Sequence, residues 1–381
     1  MSLTMIKNAH LVSAGIDFNG ALMLNGKKIE ALLDIAPTDF TGKVIDAKGN
    51  YVMPGFIDSH CHGRNNCDFS DGDAEKTKCI LDHKLEEGVT TMLPTTLTLP
   101  ETDLAATLKS VAAYDQKSGC KVPGVHLEGP FINPKCLGAQ NPDFVRAADI
   151  VEVERLNAIF PVKKVTYAVE MPGGAAFAGK LQKLGITPSC THSAAKYSDF
   201  VSAYHAGLRN LSHFCNQMTA LHHRDIGLVG AGLLHRDVYT EFICDKLHIS
   251  VPMIQLVFQV KGCDHVVLIS DAMRAAGMPD GDYTLGGLPV VVKEGAARLK
   301  EGGALAGSTL LISTALKNIY EVTGLPLSEV IKSVTSTPAA SLGLTDVGKL
   351  QAGFAADVVI LDPDFTVQTA IVDGEVRYQR A

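Results

Sequence analysis

No apolar run in this sequence approaches the roughly 20 residues that cross a bilayer, and Met1 to His10 has neither the charged start nor the long apolar stretch of a signal peptide. A cytoplasmic protein with no membrane partner is the expectation. No block of basic residues occurs and the net charge is −7, so nothing points to nucleic acid or an anionic surface. An anionic small substrate must then be met by local groups. No C-x-x-C pair occurs among the nine cysteines, whose odd number argues for reduced thiols over a disulfide frame or a structural zinc site. Cys215, two residues after His213, could face the same cavity as that histidine, but reads first as a buried small hydrophobe. Tryptophan is absent too, which excludes nothing.

What is present suits a folded globular chain: 46% hydrophobic and 20% charged over 381 residues. That length allows about two domains, or one large barrel with an appendage. The first 53 residues read as short strands with Asn25-Gly26 as a turn, and residues 350–381 have the same texture around Asp373-Gly374. Neither end can bury a core alone, so both are expected to pair into one β-sandwich domain, 1–53 with 350–381.

Between them, strand-like runs alternate with helical patterns, the signature of β-α units and a parallel sheet. Eight runs stand out: 55–62, 90–96, 124–129, 165–171, 187–192, 208–215, 240–245 and 265–271. Eight units favour a closed (β/α)8 TIM-type barrel over residues 54–349, and the lack of G-x-G-x-x-G after an early strand weakens a dinucleotide-binding sheet. Helices are expected at 74–87, 101–118, 151–160, 175–184, 198–206, 252–260 and about 308–322. A hairpin is expected within 280–306.

Such a barrel carries its functional groups at the C-terminal ends of its strands, and the unusual residues fall there. The first run ends in His60 and His62, whose i, i+2 spacing points both imidazoles to one side of a strand. The third ends in Glu128, the fifth in His192, the sixth carries His213 and the eighth ends in Asp271. A lone histidine or carboxylate is as easily a core polar group. Five strand ends supplying only ligand types are harder to assign to chance. Imidazole with carboxylate suits a divalent transition metal, with zinc first and iron, manganese or nickel as alternatives, better than calcium or magnesium. These six residues could hold two ions bridged by Glu128, or one held by Glu128, His192 and His213.

The motifs Pro54-Gly55-Phe56-Ile57-Asp58-Ser59-His60-Cys61-His62-Gly63, His126-Leu127-Glu128-Gly129-Pro130-Phe131, Asn216-Gln217-Met218, Asp245-Lys246-Leu247-His248 and Ser270-Asp271-Ala272 resemble those of the amidohydrolase superfamily. More closely they resemble the N-acetylglucosamine-6-phosphate deacetylases and the related N-acetylgalactosamine-6-phosphate deacetylases, nearly end to end. The resemblance implies metal ligands Glu128, His192 and His213, a second position at His60 and His62, and Asp271 as general acid/base. It implies substrate contacts from Ala139, Gln140, Asn216, Gln217, Asp245, His248, Leu305, Ala306 and Gly307, with Arg224 on the sugar phosphate. It also implies a homodimer that shares Arg224 across its interface. On composition alone Arg224 would be a solvated loop charge. Gln140 departs from the family, whose members usually carry a histidine there that hydrogen-bonds the reacting acetyl group; an amide can donate but cannot become a cation.

The expected activity is therefore hydrolysis of N-acetyl-D-glucosamine 6-phosphate to the amino-sugar phosphate and acetate. The galacto epimer and another amidohydrolase, such as a cyclic amidase or dipeptidase, are the alternatives. A non-catalytic scaffold would be expected to have lost ligands or Asp271, and none is lost.

Overall fold

The computed structural model describes residues 3–381, so the first two positions of the expected 1–53 segment lie outside the described residues. The two chain ends pair as their alternation suggests. One eight-stranded sheet runs in the order Glu375–Gln379, Val367–Val372, Val358–Leu361, Tyr51–Pro54, Leu3–Ser13, Ile16–Asn25, Lys28–Leu33, with Lys43–Asp46 added on Leu3–Ser13. By hydrogen bonding these strands form one branched sheet. Leu3–Ser13 is the reason: its first half pairs with Lys43–Asp46 and its second with Tyr51–Pro54, so one long strand serves two ladders. Ile6, Leu11, Leu22, Ile29, Val52, Val358 and Ile371 form the core of this part. Asp373 and Gly374 both take positive φ, 51° and 77°, in the left-handed two-residue turn that suits strand twist.

The middle of the chain is α/β. Six strands form a parallel ladder in sequence order: Val125–Glu128, Val162–Tyr167, Thr187–Cys190, Asn210–Leu211, Tyr239–Phe242 and Val266–Leu268. A second parallel pair joins Phe56–Cys61 to Val89–Pro94. A bridge between Thr95 and His126 links that pair to the ladder's first strand. Past the last strand, the Asp271 amide donates to the His60 carbonyl (2.9 Å) and the His62 amide to that of Ala272 (2.8 Å).

Three sequence expectations shift, each for a local reason. The run 308–322 becomes helical only at Ile312–Thr323, because Ser308 is spent on tertiary bonds, its amide on the Asp271 carbonyl (2.7 Å) and its hydroxyl on that of Ser270 (2.5 Å). From there Ile312, Ala315, Leu316 and Ile319 bury one stripe, and Gly324 ends the helix at φ 64° with its amide on the Tyr320 carbonyl. A helix at Gly227–Leu234 has no counterpart in the sequence reading. Its segment Gly-Leu-Val-Gly-Ala-Gly-Leu-Leu is apolar all round and offers no helical period to detect. The expected hairpin in 280–306 is a three-stranded antiparallel sheet, Gly281–Leu285, Leu288–Lys293 and Ala296–Leu299.

Gly55 seats the strand that carries His60. A methyl group there would stand 2.0 Å from Thr90 Oγ1, while its amide donates to the Asp357 carbonyl (2.9 Å). Gly55→Ala is expected to destabilise the fold by about 1–3 kcal/mol through overpacking. The check is a lowered urea midpoint at unchanged slope; an unshifted midpoint would mean that the strand relaxes freely.

Candidate metal centre

A cavity of about 350 Å³ opens where the parallel strands end, and His62, Glu128, His192, His213 and Asp271 all face it. His60 lies beneath them, fully buried. Glu128 is the hub. Its Oε1 is 3.0 Å from His213 Nε2, 3.3 Å from His60 Nε2 and 3.4 Å from His192 Nε2, and its Oε2 is 3.3 Å from His62 Nε2. Asp271 Oδ1 lies 3.2 Å from His62 Nε2 and 3.6 Å from His60 Nε2.

The backbone that delivers these groups is unusual. His192, His213 and Asp271 have φ of 49°, 26° and 46°, and Gln217 has 49°, a region that non-glycine residues seldom occupy and that clusters at functional sites. Each of the three lies just beyond its strand, since the ladders stop at Cys190, Leu211 and Leu268. The runs read from sequence as 187–192, 208–215 and 265–271 therefore end early: the chain leaves the ladder to turn a polar side chain into the cavity. Asp58 ties the strand that carries His60 to the turn at Asp271, accepting from the amides of His60 (3.3 Å) and Ser270 (3.2 Å) while Lys84 Nζ holds its other oxygen at 2.8 Å.

The donor set fits a divalent ion. Three of the imidazoles direct Nδ1 at a main-chain carbonyl: His62 at Thr95 (3.2 Å), His192 at Cys136 (2.8 Å) and His213 at Asn216 (3.2 Å). That fixes the proton on Nδ1 and leaves the Nε2 lone pair to the cavity, the usual arrangement of a ligating histidine. Two atoms bound at about 2.0–2.2 Å to one tetrahedral ion lie about 3.3 Å apart, and the separations around Glu128 have that size. His60 Nε2, fully buried, has no hydrogen-bond partner among the described residues. The ligand atoms fall into two groups that share Glu128, His60 with His62 and Glu128 with His192 and His213, each within 4.8 Å.

The electrostatics favour ionised carboxylates. Burial raises the Glu128 pKa, but the charge of His60 and the close imidazoles of His192 and His213 hold it well below the usual range. Asp271 is likewise raised by burial and pulled below its ordinary value by His60 and His62. Burial lowers the pKa of His60, yet Glu128 and Asp271 overcome this and lift it to about 9.

Of the other residues singled out by sequence, Ala139, Gln140, Asn216, Gln217, His248, Leu305 and Gly307 line the cavity. Ala306 is fully buried between its two lining neighbours. Asp245 stands behind the wall, its Oδ2 2.6 Å from His248 Nδ1, and so orients that imidazole. Gln140 is committed elsewhere than expected: its Nε2 donates to Glu128 Oε2 (2.6 Å) and its Oε1 accepts from the Thr98 amide (2.7 Å). Arg224 is not among the lining residues; it is exposed, with Nη1 2.8 Å from His223 Nε2. Sequence reasoning missed Arg298, the one arginine or lysine among the described residues that lines the cavity, and the buried pair Lys164 and Glu241 behind His60. Alternation along 239–242 could have turned Glu241 inward, but nothing in the sequence says what it faces.

Comparison with known proteins places the chain. The amidohydrolase family model matches residues 257–377. The N-acetylglucosamine-6-phosphate deacetylase of Lysinibacillus sphaericus is 34% identical over 339 residues, 88% of this chain and 87% of that protein. The chain belongs to the N-acetylglucosamine-6-phosphate deacetylase family. Within that family a relative with the other epimer in its name, the N-acetylgalactosamine-6-phosphate deacetylase of Escherichia coli, is 37% identical over 87% of this chain and 89% of its own. The crystal structure of the N-acetyl-D-glucosamine-6-phosphate deacetylase of Mycobacterium smegmatis, an aspartate-to-alanine mutant in complex with N-acetyl-D-glucosamine-6-phosphate, superposes with a TM-score of 0.91 at 28% identity, covering 99% of each chain. All nine cysteines are free, and no helix among the described residues is long and apolar enough to cross a membrane.

Proposed function

We propose that this chain hydrolyses the amide of N-acetyl-D-glucosamine 6-phosphate, releasing acetate and D-glucosamine 6-phosphate. The observation that carries the reading is the placement of ionised Asp271 against two His/Glu groups that share Glu128, on the wall of a cavity with a single fixed cation. The eight parallel segments, with the return of residues 271–272 to His60 and His62, support a closed (β/α)8 barrel over residues 54–349. The donor set supports two ions, with zinc first and iron, manganese or nickel as alternatives.

Held by Glu128, His60, His62, His192 and His213, a divalent ion would supply Lewis acidity for the acetyl carbonyl and make water a stronger nucleophile at neutral pH. The chain's own residues do the rest. Asp271, ionised at neutral pH, accepts the proton of the attacking water and returns it to the departing amine nitrogen. An unprotonated amine is a very poor leaving group, so the second transfer is as necessary as the first. Gln140 holds Glu128 in place. His248, oriented by Asp245, and Asn216 and Gln217 offer hydrogen bonds to the sugar.

The phosphate needs a cation, and Arg298 is the one that lines the cavity. A second reading assigns the phosphate to Arg224 of another copy in a homodimer. The exposed Leu221 (57%), three positions before the exposed Arg224, favours it. The two arginines separate the readings. If Arg298 binds the phosphate, Arg298→Ala raises KM for the sugar phosphate about 10- to 100-fold, the cost of a charged hydrogen bond of about 1.5–3 kcal/mol, and leaves the unphosphorylated sugar unaffected. The same pattern in Arg224→Ala assigns the phosphate to the second copy. The function itself is tested by acetate release from both hexosamine 6-phosphates on protein of measured metal content. Release from the galacto substrate alone would change the epimer, and release from neither would end the proposal.

A further inference from the structure

Behind the metal centre lies a charged pair that the reaction does not use. Glu241, on Tyr239–Phe242, and Lys164, on Val162–Tyr167, are both buried within the ring of strands. Lys164 Nζ bonds Glu241 Oε1, which also accepts from Ser59 Oγ (3.2 Å). Glu241 Oε2 is different. It has no hydrogen-bond partner among the described residues, and 3.5 Å away stands His60 Nδ1, also buried and also without one among them. Two orphaned polar atoms, one able to donate and one to accept, face each other.

His60 is thus set apart from the other three histidines, whose Nδ1 atoms meet neutral main-chain carbonyls. Its partner is a carboxylate, the acceptor that most strengthens the basicity of a ligating imidazole. A buried ion pair adds little stability over a well-packed apolar pair, so its presence calls for another reason. We propose that Glu241, held by Lys164, is a positioning residue for His60: it fixes the proton on Nδ1, aims Nε2 at Glu128, and so sets the affinity of the ion held by His60, His62 and Glu128. The other group shares Glu128, but the polar contacts of Glu241 are with His60, Lys164 and Ser59 and not with His192 or His213, so its ion keeps its affinity. This rests on the reading of the cluster as a metal centre.

The test is titration of metal-stripped full-length protein with Co²⁺ against a competing chelator, following ions bound per chain and the cobalt absorption bands. Wild type is expected to take up two ions. Glu241→Gln is expected to weaken one of them about 10- to 100-fold, with its bands altered and the other ion unchanged. Leaving Lys164 unpaired in the core threatens folding, so the double variant Lys164→Met/Glu241→Gln, which removes both charges, is measured beside it with its melting temperature. Loss of one ion's affinity in a variant that melts like wild type supports the positioning role. Two ions bound as tightly as in wild type by either folded variant overturn it, as does equal weakening of both ions. Wild type that binds no Co²⁺ would instead defeat the reading of the metal centre itself.

Discussion

Replacing Glu128 by alanine is expected to cost both metal ions at once and about three orders of magnitude or more in kcat. Its Oε1 is within 3.0–3.4 Å of histidine nitrogens from both ligand groups and its Oε2 is 3.3 Å from His62 Nε2, so it is the ligand the two groups share. An ion's stabilisation of the transition state amounts to several kcal/mol, and about 1.4 kcal/mol is a factor of ten. The fold should survive, because removing this carboxylate also removes one of the three that keep His60 charged, Asp271 and Glu241 being the others. That has a pH signature in metal-free protein. The folded pKa of His60 is raised from 6.5 to about 9, so the stability it contributes is complete below pH 6.5 and is lost as pH rises through about 9. Metal-free wild type should therefore lose stability between pH 7 and 9, and Glu128→Ala should lose less. Elemental analysis, kcat and melting temperature at the two pH values are the measurements; two ions retained per chain in Glu128→Ala would refute the shared-ligand arrangement.

Asp271→Asn is expected to lower kcat by at least about a hundredfold, the lower end for general acid/base work, with substrate binding retained. Asparagine keeps the shape and the backbone bonds that run from Asp271 to His60 and Ser308, but it can neither accept the water's proton nor deliver one to the amine. Asp271 Oδ1 also lies 3.2 Å from His62 Nε2, close enough to serve as a ligand, so metal content must be measured alongside. If excess metal restores more than half of kcat, Asp271 acts as a ligand alone and the proton transfer passes to another group, with His248 on the cavity wall as the first candidate.

The residues of the site were legible because metal chemistry draws on few side-chain types and a strand's end is marked by where its apolar run stops. His60, His62, Glu128, His192, His213 and Asp271 were all named before any geometry, and all six converge within a few ångströms. The lengths of the strands were not legible. A ladder ends where the neighbouring strand leaves it, and the left-handed turns at His192, His213 and Asp271 carry none of the glycine or asparagine that marks such turns in a sequence. Gly227–Leu234 was missed because a helix apolar on every side has no polar face to set a period.

Period-two and period-3.6 patterning, the turn residues and the ligand types are properties of neighbouring residues, so the sequence alone determined the α/β class, the pairing of the two chain ends and the choice of candidate metal ligands. Partnerships between distant residues are set by how strands wrap and which faces meet. Only the tertiary structure decided that Gln140 is spent on Glu128, that Arg298 and not Arg224 lines the cavity, and that Glu241, 181 positions beyond His60 in the chain, stands 3.5 Å from its ring. No local pattern encodes such a distance, because it depends on the packing of every element between them.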